Sequence, residues 1–126
     1  MKSKDLENRL KTLAFRVVHL CQELPKTRVS QVIENQLLRC SFSAAANYRA
    51  ACKAISRKAF ISKLSISFEE ADESEFWIDA ILELKLVDVG KLSAIQKEAN
   101  ELACILAAAR RTCQAKSRSL QLNLKS

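Results

Sequence analysis

Apolar residues recur at steps of three and four along four stretches of this chain. The first stretch carries Leu6, Leu10, Leu13, Val17, Leu20 and Leu24. That spacing keeps the side chains on one side of a helix, so it predicts an amphipathic helix over 3–24. Ser3 stands where a hydroxyl caps free backbone amides. Pro25 ends the helix, because the residue before a proline avoids helical angles. The second stretch begins at Thr27, another capping type, and carries Val29, Ile33, Leu37, Cys40, Ala44, Tyr48, Ala51 and Ile55. It predicts a helix over 27–55. Its middle, SFSAAANYRAA, is rich in small residues that admit a close neighbouring backbone, and its serines can bend the helix by bonding back to carbonyls one turn earlier.

The third stretch, over 56–86 with Ser56 as cap, places Phe60, Leu64, Ser67, Phe68, Ala71, Ile78 and Leu82 on one face. Ile66 and Trp77 lie on a flank of that face, and Phe76 lies nearly opposite. A helix with apolar residues on more than one side is either central or part of a subunit contact. Residues 87–90 read as the following turn. The fourth helix is predicted over 91–116, with Leu92, Ile95, Ala99, Leu102, Leu106, Ala109 and Cys113 as its seam. The basic, serine-rich tail 117–126 is expected to fray. Four such helices on short connections predict a single all-α domain over 1–126, an antiparallel up-and-down four-helix bundle.

Composition narrows the fold further. One glycine and one proline in 126 residues leave little of the turn chemistry that sheets need. The charged N-terminus does not resemble a secretory signal, and no apolar stretch approaches the ~20 residues of a membrane span. No membrane association and a cytoplasmic location are therefore expected. Five cysteines, an odd number without CxxC spacing, fit reduced thiols serving as small hydrophobes.

Charge is unevenly distributed about a net +7. Residues 35–68 contain six bases and no acid, whereas 69–83 contain seven acids and no base. A basic surface attracts polyanions. Arg49 and Lys53, one turn apart, project together from the second helix, and Arg57 and Lys58 follow at the next turn. Arg110 and Arg111, with Lys116 and Arg118, form a second cluster. These bases are candidate phosphate contacts to RNA or DNA, sensitive to salt and weakly selective for sequence. Solubilising charge alone is the rival reading. Interleaved aromatics for stacking bases are scarce, since Tyr48 falls on the interior face.

Catalysis and metal binding are not expected. His19 is the only histidine and lies beside the first seam, with nothing to orient it as a base. A di-iron bundle requires Glu-x-x-His pairs, and none occurs. One glycine cannot build a phosphate-binding loop. No cofactor is expected. The acidic block reads equally as a solvated face or as partners for the preceding bases, with Lys63, Glu70 and Trp77 spaced by seven on one flank.

Four blocks in order, at 36–41, 46–51, 56–64 and 69–77, resemble the bacterial four-helix proteins encoded in intervening sequences of 23S ribosomal RNA genes. The stretches ANYRAA, SRKAFISKL and EEADESEFW carry the likeness. The resemblance implies an up-and-down bundle assembled into a homo-oligomeric ring, typically a homopentamer, without catalysis. It also implies kinship with accessory proteins of diversity-generating retroelements, which engage nucleic acid and a reverse transcriptase. Arg39, Asn47, Arg49, Lys63, Glu70 and Glu73 match recurring polar positions of the family, and some of them are expected to form a buried or interfacial network. Phe76 and Trp77 are expected at the oligomer interface. Ala45 stands where the family usually has glycine, which favours a straighter second helix. Ala59 replaces a frequent acid, which leaves the basic run more basic. A purely structural or protein-interaction bundle is the alternative function.

Overall fold

The computed structural model describes residues 1–125. Its helices are α1 (Ser3–Gln22), α2 (Arg28–Cys52), α3 (Arg57–Glu83) and α4 (Val89–Lys125). Consecutive helices pack together, α2 against α3 most extensively, and α4 closes on α1 along the thinnest seam. Partners across the seams run in reversed order. Ser67 and Ser74 of α3 meet Ala44 and Cys40 of α2, and Asp79 and Glu75 meet Gln96 and Asn100 of α4. The architecture is the antiparallel all-α bundle that the periodicity predicts.

The α1 seam is buried throughout, from Leu6 to Leu24, as are Leu92, Ile95, Ala99, Leu102 and Leu106 of α4. Between α2 and α3 the buried residues are small: Cys40, Ser41 and Ala44 face Ser67, Ala71 and Ser74. The Ser67 hydroxyl donates across the seam to the Ala44 carbonyl at 2.7 Å. Small side chains bring the two backbones within reach of that bond.

Several expectations are corrected. Ser3 is already helical; the N-cap is Lys2, without a side-chain hydrogen bond. Thr27 and Ser56 do cap, each accepting from the amide three residues on. Val29 and Ile55 are exposed. Val29 lies in the first turn of α2, where the neighbouring Ser30 is the buried residue instead. Ile55 lies beyond the end of α2 at Cys52. The tail placed at 117–126 continues as helix through Lys125, because no proline or glycine interrupts it; Ser126 lies outside the described residues. At 37 residues, α4 is about 55 Å long, against about 30 Å for the 20-residue α1.

The turn expected at 87–90 falls earlier, and Gly90 belongs to α4. The left-handed residue is Lys85, at φ 55°. Its amide bonds to the Leu82 carbonyl, and that of Leu86 bonds to Ile81, which together form a Schellman closure of α3 with lysine in the glycine position. Left-handed angles cost a residue with a Cβ about 1–2 kcal/mol, partly offset by the extra unfolded-state freedom of glycine. Lys85→Gly is therefore expected to stabilise the bundle by about 0.5–1 kcal/mol, seen as a higher urea midpoint. An unchanged or lower midpoint would contradict the strain.

Candidate functional site

Antiparallel packing turns the sequence blocks into an axial charge gradient. The N-terminus of α1, the C-terminus of α2, the N-terminus of α3 and the C-terminus of α4 share one end. That half, residues 1–12, 41–68 and 104–125, holds fourteen bases and two acids. The other half, residues 13–40 and 69–103, holds seven bases and twelve acids. The basic run and the acidic block are adjacent in sequence, yet the helix axis carries them to opposite ends.

The six candidate phosphate contacts all lie at the basic end but not on one face. Arg49 and Lys53 line a groove between α1 and α2. Arg57 edges a separate recess with Ile55, Phe60 and Cys113, and Lys58 is exposed beside it. Arg110 is half-buried, its guanidinium 5.4 Å from the Phe68 ring centroid. That stacking against α3 turns it partly away from solvent. Arg111 is exposed on the next position of α4.

Sequence reasoning missed what shares the groove with Arg49 and Lys53. Its walls carry Lys4, Glu7 and Lys11 from α1, its floor is Ala14, Ala45 and Ala46, and Phe15 and Phe42 stand at one end. The signal was present, because both phenylalanines lie off the buried seams of their helices and so had to face outward. What one helix alone does not disclose is that the two rings meet, with centroids 6.1 Å apart.

Of the six polar positions expected in a network, the structure brings together Arg39, Glu70 and Glu73. Arg39 of α2 donates to Glu70 at 2.9 Å and to Glu73, and Glu73 also accepts from the Trp77 indole at 3.0 Å. The indole bond, aided by Arg39, holds the Glu73 carboxyl below the usual carboxylate range. The network is partly exposed at the surface, not buried. Asn47 bonds only to Ser43 within α2, and Lys63 is exposed away from Glu70, which Arg39 takes instead. The acidic block is thus shared among Arg39, Gln96 and Asn100, with Glu69, Asp72 and Glu83 left solvated.

Beside Trp77, an apolar recess of about 390 Å³ is lined by Val29, Val32, Phe76, Ala80 and Leu84, with Arg28 at its edge. Phe76 is 61% exposed and packs edge-on against Trp77 at 5.0 Å. Val29, Val32, Phe76 and Leu84 are all more than half exposed, which makes this an apolar patch at the surface.

Charge bridges the rim of the thin α1/α4 seam. Arg9 donates through two nitrogens to Glu98, at 3.0 and 2.6 Å, and lies 3.3 Å from Glu101. This fork holds the Glu98 carboxyl below its usual range. At the acidic end, Lys91 pairs with Glu23 at 2.9 Å. His19 is exposed on α1. All five thiols are free. Burial pushes Cys21 and Cys40 up to about 11, which fits inert small hydrophobes. Cys52 and Cys104 are exposed and depart from that reading. Among the described residues, no cluster of three or more His, Cys, Asp or Glu is arranged to hold a metal ion, and no helix is long and apolar enough to cross a membrane.

These features define a class: an antiparallel four-helix bundle with charge segregated along its axis and an apolar recess on its flank. The chain belongs to the 23S rRNA-intervening sequence protein family, whose pattern matches residues 4–108. It is similar to a crystal structure of a protein with unknown function from the S23 ribosomal protein family of Bacteroides thetaiotaomicron VPI-5482. That protein is 29% identical, with a TM-score of 0.78 over 88% of this chain and 99% of that one. No curated protein matches the sequence.

Proposed function

We propose that this protein is a non-enzymatic, homo-oligomeric bundle of the bacterial cytoplasm that binds nucleic acid through its basic end. The observation that carries the reading is the segregation of fourteen bases and two acids into one half of the bundle. A field of that sign concentrates phosphate and releases counterions when bases contact it. Arg49, Lys53, Arg57, Lys58 and Arg111 are the exposed contacts; Arg110, stacked on Phe68, contributes mainly field.

The oligomer rests on the recess at Val29, Val32, Phe76 and Leu84, which lies toward the acidic end and leaves the basic end free. If this recess meets a different surface of the next copy, the head-to-tail contact forms a ring when its rotation closes. A ring of five is what the family resemblance implies, and a reverse transcriptase is the protein partner it adds. Light scattering is expected to show an assembly; a monomer would refute the ring.

Labelled structured RNA and duplex DNA, titrated at low and raised salt, test the binding. Affinity is expected to fall steeply with salt. Arg49→Glu with Lys53→Glu is expected to lower it more than tenfold and to flatten the salt slope by about one for each phosphate no longer neutralised. Absence of binding at low salt overturns the reading and leaves the protein-interaction bundle.

A further inference from the structure

We infer that the groove between α1 and α2 is a site for single-stranded nucleic acid, in which unstacked bases lie on Phe15 and Phe42 while phosphates follow the flanking cationic side chains. The inference rests on the nucleic-acid reading above and narrows it to one strand state and one groove.

Three observations converge there. The groove has a volume of about 580 Å³ and carries cations on both walls, Lys4 and Lys11 from α1 and Arg49 and Lys53 from α2, against one acid, Glu7. Glu7 is partly occupied, lying 3.5 Å from Lys4. Lys4 and Lys11 are two turns apart on one flank of α1, about 10 Å, and Arg49 and Lys53 are one turn apart on α2. The cations therefore form two rows along the groove.

Second, Phe15 and Phe42 are 51% and 41% exposed although the core they border is otherwise closed. Their rings are 6.1 Å apart and tilted by 48°, so they do not stack flat on each other. Large exposed aromatics beside cations are the elements with which single strands are held: the ring takes a base of any identity, and the cation takes the backbone.

Third, the floor is alanine at 14, 45 and 46. Side chains this short let a flat base approach the helix surface. A duplex gains nothing from the rings, because its base faces are already stacked; it meets only the cations.

Fluorescence anisotropy with the full chain tests this, using short labelled oligo(dT) and oligo(U) strands and a DNA duplex of equal length. Both single strands are expected to bind more tightly than the duplex. Phe15→Leu with Phe42→Leu keeps apolar bulk and removes the stacking faces; it is expected to weaken the strands about tenfold or more and leave duplex affinity unchanged. Phe15→Tyr with Phe42→Tyr keeps the rings and is expected to retain strand binding, which separates stacking from any loss of folding. Equal affinity for strand and duplex, with no effect of the leucine pair, overturns the stacking site while leaving the basic-end reading intact. Failure of every probe at low salt overturns both. A leucine pair that dissociates the assembly in light scattering assigns the rings to a subunit contact and overturns the inference.

Discussion

Ala71→Leu is expected to destabilise the bundle by about 2–4 kcal/mol, as a crowded core costs about 1–3 and a broken hydrogen bond about 1 more. Ala71 is 1% exposed and lies between Ser67 and Ser74 on the face of α3 that meets α2. Opposite are Cys40, Ser41 and Ala44. The 2.7 Å bond from Ser67 to the Ala44 carbonyl and the 3.1 Å approach of Ser74 to Cys40 show how closely the backbones lie. A leucine side chain cannot enter that space without moving the helices apart. Separation stretches the Ser67 bond and leaves its hydroxyl buried without a partner. Ser67→Ala removes the same bond without crowding and is expected to cost about 1 kcal/mol. Urea unfolding at fixed protein concentration measures both. If the two variants lose the same amount, crowding contributes nothing and the α2/α3 seam is looser than its hydrogen bonds indicate.

That seam was legible in outline. The run SFSAAANYRAA announced a close approach before any partner was known. The serines of α3 that complete it were less visible: Ser67 fell on the expected stripe, but Ser74 reads as polar and is fully buried. The Ser67 hydroxyl donates to a carbonyl of another helix, and that of Ser74 reaches a thiol there as well as the Glu70 carbonyl one turn back, and periodicity carries no information about partners on another helix. The Arg39–Glu70–Glu73 network shows the same limit from the other direction. Equal spacing suggested Lys63 for Glu70, whereas the antiparallel pairing brings Arg39 there from thirty-one residues away.

Helix ends divide in the same way. Thr27 and Ser56 announced their caps through local chemistry alone. Gly90 misled, because a glycine near a helix boundary suggests the left-handed position, and here Lys85 occupies it. The long α4 was readable from what it lacks: after Gly90 nothing breaks the helix, and Leu120 and Leu124 continue its apolar spacing past the body of the bundle. For the candidate site, the charge blocks were plain in the sequence, but their segregation to opposite ends depends on helix direction. The groove depends on two helices meeting, so Phe15 and Phe42 were visible only as outward-facing rings.

Leu10→Ala is expected to cost about 3.5 kcal/mol, the middle of the range for emptying a buried leucine site. Leu10 is fully buried on α1. The position of α1 decides how that loss is distributed. Among the described residues α1 packs closely on α2 and thinly on α4, and its backbone does not approach that of α3. Its seam with α4 leans on the Arg9 fork to Glu98 and Glu101, one residue from the site of the cavity. The α2/α3 pair shares its hydrophobic core with Leu10 but has in addition a close seam of its own, tied by the Ser67 and Ser74 hydroxyls. A domain of this size has about 5–15 kcal/mol of total stability, so the variant remains folded, while opening of α1 becomes far easier than global unfolding. Native-state hydrogen exchange is expected to show amide protection falling in α1 and the facing turns of α4, with α2 and α3 changed much less. Phe15→Ala, on the exposed side of the same helix, is expected to shift stability by no more than about 0.5 kcal/mol. Uniform loss of protection across all four helices would mean that α1 is integral to one cooperative unit. The charge fork at Arg9 would then be supporting a seam much stronger than its sparse packing implies.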